Sequence, residues 1–364
     1  MMPFVRRLAY FAALLLPQAS HASADEAARR CAGLEDNVRR LACYDQAFAV
    51  RMPIQKTPLD LVQTVNESLE NKETTLVFHN EEGATAAAKT EPSPLGKMYD
   101  LDANSPSGLL SVREHNPMYL LPLWYNSSPN YYPYSPSRGI TSQERFSQQK
   151  HAETKMQISF KSKILEDLFR TRADLWFGYT QKSDWQIYNQ GRKSAPFRNT
   201  DYEPEVFITQ PVKAALPGGG RLRMLGAGFV HQSNGQTRPE SRSWNRVYAM
   251  AGLEWGKLAV IPRLWARLDA NGDKDDNPDI GHYMGHGDLK LQYSMSDKQN
   301  VSATFRLNPK SGKGAAEAAY VFPIKGKFKG IVRGFHGYGE SLIDYNHKQT
   351  GIGVGVMFND WDGL

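Results

Sequence analysis

Residues 226–255 read GAGFVHQSNGQTRPESRSWNRVYAMAGLEW. Two runs of alternating character flank a turn marked by Asn234-Gly235 and Pro239. Alternation of period two is the mark of a strand, because successive side chains point to opposite faces. On the first run Leu225, Ala227 and Phe229 share a face with His231 and Ser233. On the second, Val247, Ala249, Ala251 and Leu253 share a face with Asn245, while Arg246 and Glu254 take the other. An imidazole, a hydroxyl and an amide therefore continue the apolar face of a predicted hairpin. His231 and Ser233 stand two apart, the spacing a general base and its nucleophile need. Asn245, brought back alongside by the turn, can accept a hydrogen bond from the second imidazole nitrogen and fix its tautomer. The spacing alone leaves two readings open: a catalytic set, or rim residues with local hydrogen bonds.

The same alternation runs outward along the chain. Twelve strand candidates centre near Leu120, Ile158, Phe177, Phe207, Ala227, Tyr248, Val260, Leu289, Ala303, Ala319, Val332 and Val354. In the last, Ile352, Val354, Val356 and Phe358 share one face and Gly351, Gly353, Gly355 and Met357 the other. Such alternation fits a soluble β-sandwich or a membrane barrel. Mean hydropathy is −0.54, which argues against membrane-spanning helices, since each needs about 20 mostly apolar residues in a row. It does not argue against a barrel, whose strands need only about 10 residues with one apolar face and whose lumen is polar. The even strand count, the aromatics and an export signal favour an all-β fold: an antiparallel transmembrane β-barrel of about twelve strands with a small, partly helical N-terminal extension.

The expected organisation has four parts. Residues 1–24 read as a signal peptide: Arg6 and Arg7, the apolar run Leu8–Leu16, then Ala22-Ser23-Ala24 as a cleavage site. Residues 25–79 form a periplasmic, partly helical segment, with Leu34, Val38, Leu41 and Tyr44 at helical spacing. Residues 80–115, rich in Ala, Thr, Pro, Ser, Asn and Gly, read as a linker, and 116–364 as the barrel. The two cysteines, Cys31 and Cys43, lie in the second part. A straight helix would hold their Cα atoms roughly 18 Å apart, whereas a disulfide tolerates about 7 Å. They bond only if the segment folds back as a helical hairpin; otherwise they are independent thiols.

The net charge of +6 and pI of about 9.1 come from Lys and Arg scattered along the chain without a dense basic run, so nucleic acid is not an expected partner; the charges fit either anionic head groups or a solubilising surface excess. No G-x-S-x-G elbow marks an α/β-hydrolase, and no H-E-x-x-H marks a zinc site. Asp269–Asp275 lacks the Gly-6 and Glu-12 of an EF-hand and reads as an acidic turn. Gly218-Gly219-Gly220 also reads as a turn. Tyr131, Tyr132 and Tyr134 fit either an interfacial aromatic belt or a Tyr-rich turn.

HQSNG followed by SRSWNRVY resembles the signature of the outer-membrane phospholipase A family. The resemblance continues in order through YTQKSDWQIYN (179–189), SAPFRNTDYEP (194–204), DDNPDI (275–280), GYGESLIDYN (337–346) and GVGVMFND (353–360). It covers roughly 175–360 and leaves 25–115 without a counterpart. It implies a twelve-stranded barrel with a Ser-His-Asn triad on its outer surface: Ser233 as nucleophile, His231 as base, Asn245 as orienter. It implies calcium-dependent hydrolysis of phospholipid acyl esters, at either glycerol position, by a homodimer. Ser241 matches the side-chain calcium ligand, Gln236 the residue giving a backbone carbonyl, and Ser194 the serine a neighbouring subunit contributes. Gln181 matches a polar residue of the dimer interface. A second calcium site of the family uses two aspartates; Asp276 matches one, but Arg238 stands at the other. Two rivals remain from the residues themselves: a non-enzymatic barrel acting as a small pore or adhesin, and a soluble secreted β-protein.

Overall fold

The computed structural model describes residues 31–33, 40, 43, 93–102, 109–141, 146–189, 197–268, 275–296, 298–325 and 328–358. The chain falls into two units, 1–87 and 88–364. In the first, Cys31 and Cys43 form a disulfide with their Cα atoms 5.5 Å apart. Of the two alternatives the sequence left open, the bonded one is realised. The expected acidic turn at 269–275 lies outside the described residues except for Asp275.

The second unit is a closed antiparallel barrel. Its staves are β2 (Tyr119–Asn126), β5 (Ala152–Leu168), β6 (Ala173–Trp185), β7 (Phe197–Leu216), β8 (Gly220–Ser233), β9 (Ser243–Trp255), β10 (Leu258–Leu268), β11 (Gly287–Ser296), β12 (Gln299–Asn308), β13 (Lys313–Lys325), β14 (Phe328–Tyr338) and β15 (Lys348–Met357). Each expected strand centre falls inside one of these twelve. Neighbours in sequence pair as hairpins, β15 returns to β2, and pairing of β2 with β5 and of β5 with β6 completes the ring. A short β1 (Val112–Glu114) pairs with β5 at Phe160–Ser162, just beyond the stretch that β2 occupies. β1 and β2 thus form one stave broken near Pro117. A small hairpin, β3 (Tyr134–Ser135) and β4 (Gly139–Ile140), sits in the β2–β5 connection, so Tyr134 belongs to a turn structure.

Side-chain polarity is inverted relative to a soluble protein. The outer face carries Ile352 (58% exposed) and Val354 (48%). The lumen holds charge in tight pairs: Lys155 with Asp184 (2.5 Å) and Glu340 (2.6 Å), Arg333 between Glu317 (2.8 Å) and Glu340 (3.1 Å), and Arg263 with Asp288 (2.6 Å). Glu205 accepts from the Tyr248 hydroxyl (2.5 Å) and meets His115 (2.5 Å). A buried charge left without a partner is costly, so these partners are what permits a polar interior. The glycine face of β15 serves packing: a Cβ on Gly351 or Gly353 would strike the Trp124 ring. An apolar exterior over a paired polar interior is the physics of a protein dissolved in lipid. No helix among the described residues is long and apolar enough to cross a membrane.

Residues 93–102 depart from the linker expectation. α1 (Pro94–Tyr99) is a six-residue helix with Ser93 as N-cap and Pro94 at its first position. Leu95, Met98, Tyr99 and Leu101 are buried in the barrel's core, and the Leu95 N–H donates to Glu254 Oε1 at 2.9 Å. Lys161 Nζ lies 4.3 Å from the centre of the Tyr99 ring. The segment caps the lumen at the rim where connections are two to four residues long, among them 169–172, 217–219 and 256–257. At 217–219 Gly218 and Gly219 take φ near +70°, the turn expected there.

At the opposite rim the connections 127–151, 186–196, 234–242, 269–286 and 339–347 are longer. Their described parts are tied together over the barrel mouth. Arg198 forks onto Asp344 with two bonds of 2.6 Å and donates to Gln149 (2.6 Å), and Asn130 donates to Asp344 (3.0 Å).

Candidate active site

The long-loop rim is where β8 ends and β9 begins. The 234–242 turn between them is held by Asn234, whose side chain donates to the Glu240 carbonyl (2.8 Å) and accepts from the Arg242 N–H (2.9 Å). Its backbone N–H donates to the Arg242 carbonyl (3.0 Å). Gly235 follows at φ +60°, a conformation that favours glycine, with the Tyr202 ring 3.0 Å from where a Cβ would stand. The Asn-Gly pair is thus a structural device that fixes the register of the two strands.

That register pairs His231 with Asn245 and Ser233 with Ser243. His231 Nδ1 lies 2.8 Å from Asn245 Oδ1. An amide oxygen only accepts, so Nδ1 carries a proton, and in the neutral ring Nε2 is then the nitrogen with the lone pair. Ser233 lies two residues on, on the same face. The neighbours on that face, Leu225 (48% exposed), Phe229 (42%) and Val247 (41%), point out of the barrel. Gln232, Arg246 and Glu254 turn inward, with Gln232 Oε1 accepting from Trp244 (2.8 Å) and Arg246 (3.2 Å). The parity expected from the sequence holds, and it puts a histidine and a serine on a surface made for acyl chains.

Ser241, in the turn, donates to Asp276 Oδ2 at 2.5 Å, and Ser243 reaches the same oxygen at 3.5 Å. Arg138, from the β3–β4 turn, donates to Asp276 Oδ1 at 2.7 Å. Burial would raise the Asp276 pKa, but the Ser241 and Arg138 hydrogen bonds and the charges of Arg138 and Arg238 outweigh it and hold the carboxyl below its ordinary range. Nearby, Asn277 Oδ1 accepts from the Ser243 N–H (2.9 Å), and Ser135 Oγ donates to the Asp276 carbonyl (2.5 Å). The sequence assigned no role to Arg138, Ser135, Ser243 or Asn277; only the DDNPDI motif hinted at this junction. Gln181 lies on the outer face opposite Ile158, accepting from the Tyr179 hydroxyl at 2.9 Å. Ser194 lies outside the described residues.

No group of three or more His, Cys, Asp or Glu placed to hold a metal ion exists among the described residues. The Ser241 hydroxyl and Gln236 carbonyl are hard, neutral oxygens, suited to calcium as part of a set completed by water. Asp276 and Arg238 do not suit a second calcium: the carboxylate is already ion-paired to Arg138, and a second guanidinium is near it.

A family model described as phospholipase A1 matches residues 95–358. The chain belongs to the phospholipase A1 family. This phospholipase is 67% identical to a Neisseria meningitidis serogroup B protein named "Putative phospholipase A1", over 96% of this chain and 95% of that one. It is 40% identical to the phospholipase A1 of Escherichia coli K12 over 57% of this chain and 70% of the relative. Among solved structures it resembles outer membrane phospholipase A from E. coli, in an active-site mutant with alanine in place of asparagine at pH 6.1 (TM-score 0.64, 34% identity, 74% of this chain and 98% of that one). It also resembles the Salmonella typhi outer membrane phospholipase dimer with bound calcium (TM-score 0.62, 33% identity, 75% and 99%). The phospholipase is thus an outer-membrane β-barrel enzyme that hydrolyses phospholipids, which removes the pore, adhesin and soluble rivals.

Proposed function

We propose that Ser233 is the nucleophile, His231 its general base and Asn245 the residue that orients His231. The observation that carries the reading is the His231–Asn245 hydrogen bond on the lipid-facing side of the β8–β9 hairpin. Nδ1–H is committed to Asn245, so Nε2 takes the Ser233 proton as Oγ attacks the ester carbonyl, and returns it to the leaving glycerol oxygen. Water then releases the fatty acid by the same exchange in reverse. Because short turns face the periplasm and long loops the exterior in bacterial barrels, the site opens on the outer leaflet. An asparagine is likewise an active-site residue in the E. coli relative. The products are fatty acid and lysophospholipid, from either acyl ester.

Calcium is the proposed cofactor, held by Ser241 Oγ and the Gln236 carbonyl, with Ser194 of the partner subunit completing the site in an active homodimer. When bound, it supplies positive charge where the ester oxygen becomes negative. The neutral Asn245 lends little help to an imidazolium, so this charge matters more here than beside an aspartate. Gln181, polar within the apolar outer band, fits a subunit interface. The calcium-bound dimer of the Salmonella relative is consistent with both proposals. Residues 25–79 are proposed to be periplasmic.

The test is phospholipid hydrolysis by refolded enzyme in detergent micelles, with calcium or chelator, beside Ser233→Ala. The expected result is calcium-dependent fatty acid release that disappears in the variant. Release that survives Ser233→Ala refutes the nucleophile assignment.

A further inference from the structure

The β3–β4 turn brings one guanidinium to the active-site turn from about a hundred residues upstream in sequence. Arg138 Nε meets Asp276 Oδ1 at 2.7 Å, both side chains being almost wholly buried. The other oxygen, Oδ2, accepts from Ser241 and is within reach of Ser243. Ser243 is the ladder partner of Ser233. The contact is a built junction: Ser135 of the same hairpin donates to the Asp276 carbonyl, and Asn277 takes the Ser243 N–H.

This places a carboxylate 2.5 Å from the proposed calcium-ligating hydroxyl. Two oxygens that close can both serve one calcium ion, whose ligands stand about 2.3–2.6 Å from the metal. An unpaired carboxylate there would draw a divalent cation strongly. Here its charge is already met by a guanidinium that the hairpin holds in place.

We propose that Arg138 is a tethered cation that takes Asp276 out of the calcium shell and thereby sets a weak calcium affinity for this enzyme. Arg138 touches neither substrate nor reacting atoms; it is a positioning residue acting through Asp276. The proposal rests on calcium binding at Ser241. Its sign is definite. Replacing Arg138 by an uncharged residue removes the larger of the two guanidinium effects on Asp276, leaving only that of Arg238, and tightens calcium binding, whereas a mere brace would loosen the turn and weaken it.

The experiment titrates calcium into the refolded full-length protein in detergent by calorimetry, alongside the calcium dependence of hydrolysis. The variants are Arg138→Met, Arg138→Gln, Arg138→Lys, Asp276→Asn and the double Arg138→Met/Asp276→Asn. Changes in residues supporting a metal ligand commonly alter affinity about 10–100-fold. Arg138→Met or Arg138→Gln, whichever folds, is expected to bind calcium about 10–100-fold more tightly than wild type. Arg138→Lys keeps the charge and stays near wild type, and the double variant loses the gain. Unchanged or weaker binding in both uncharged variants overturns the proposal while leaving calcium dependence intact. Absence of calcium binding and of calcium-dependent hydrolysis in wild type overturns the calcium reading itself.

Discussion

Asn245→Ala tests how much work a neutral orienting residue does. The wild-type contact is a single 2.8 Å bond from His231 Nδ1 to Asn245 Oδ1 in a half-buried setting. A histidine acting as base starts neutral, as does the amide, and a bond between neutral partners contributes about 0.5–1.5 kcal/mol. As Ser233 attacks, the imidazole becomes imidazolium and the bond becomes one to a charged group, at about 1.5–3 kcal/mol. Tenfold in rate corresponds to about 1.36 kcal/mol. Only the gain on charging, about 1–1.5 kcal/mol, is read in kcat, so the variant should lose about 5–13-fold in kcat with little change in KM, far less than the roughly 10⁴-fold that attends loss of the aspartate's role in a Ser-His-Asp triad. The assay is initial fatty acid release from mixed micelles at saturating calcium, on protein whose folded barrel is verified by its gel mobility before and after heating. A loss as deep as that of Ser233→Ala would refute the reasoning, because Asn245 would then do more than orient. No loss would refute it too, because something else would hold His231.

Three further outcomes are expected. Val354→Arg places a charge in the outer apolar face of β15; near the bilayer midplane this costs about 2–4 kcal/mol, readable by urea unfolding in lipid bilayers, and a neutral effect would remove β15 from the lipid-facing wall. Cys31→Ser should leave barrel hydrolysis unchanged while making the N-terminal unit more sensitive to protease, since closing a loop of that size contributes about 3 kcal/mol; equal protease resistance would show that the bridge is dispensable. The Asp344 carboxyl would be raised by burial but is held below its ordinary 3.8 by the charge and hydrogen bonds of Arg198, with His347 and Asn130 adding to the effect. A depressed carboxyl stabilises the fold above its unfolded value and loses that contribution as pH falls through the folded value. The loops tied by Asp344 should therefore gain protease sensitivity as pH drops below about 4, and an Asp344→Asn variant should show that sensitivity already at neutral pH; a flat profile in wild type would contradict it.

The amino-acid sequence by itself determined the barrel wall and the composition of its rim site. Period-two patterning has only two phases, so Phe229, His231 and Ser233 had to share a face, as did Asn245 and Val247. The Asn234-Gly235 turn then had to bring the two runs together. Only the tertiary structure decided which face met lipid, because the polar face became an interior once Lys155, Arg333 and Arg263 found carboxylates on other strands. α1 escaped the sequence reading because six residues are too few to display helical periodicity, although Ser93-Pro94 is a legible start signal. Arg138 escaped it because no local pattern links it to Asp276. That contact depends on where two long loops meet over the barrel mouth, and the energy that sets it, pairing of two charges withdrawn from water, is written in no stretch of neighbouring residues.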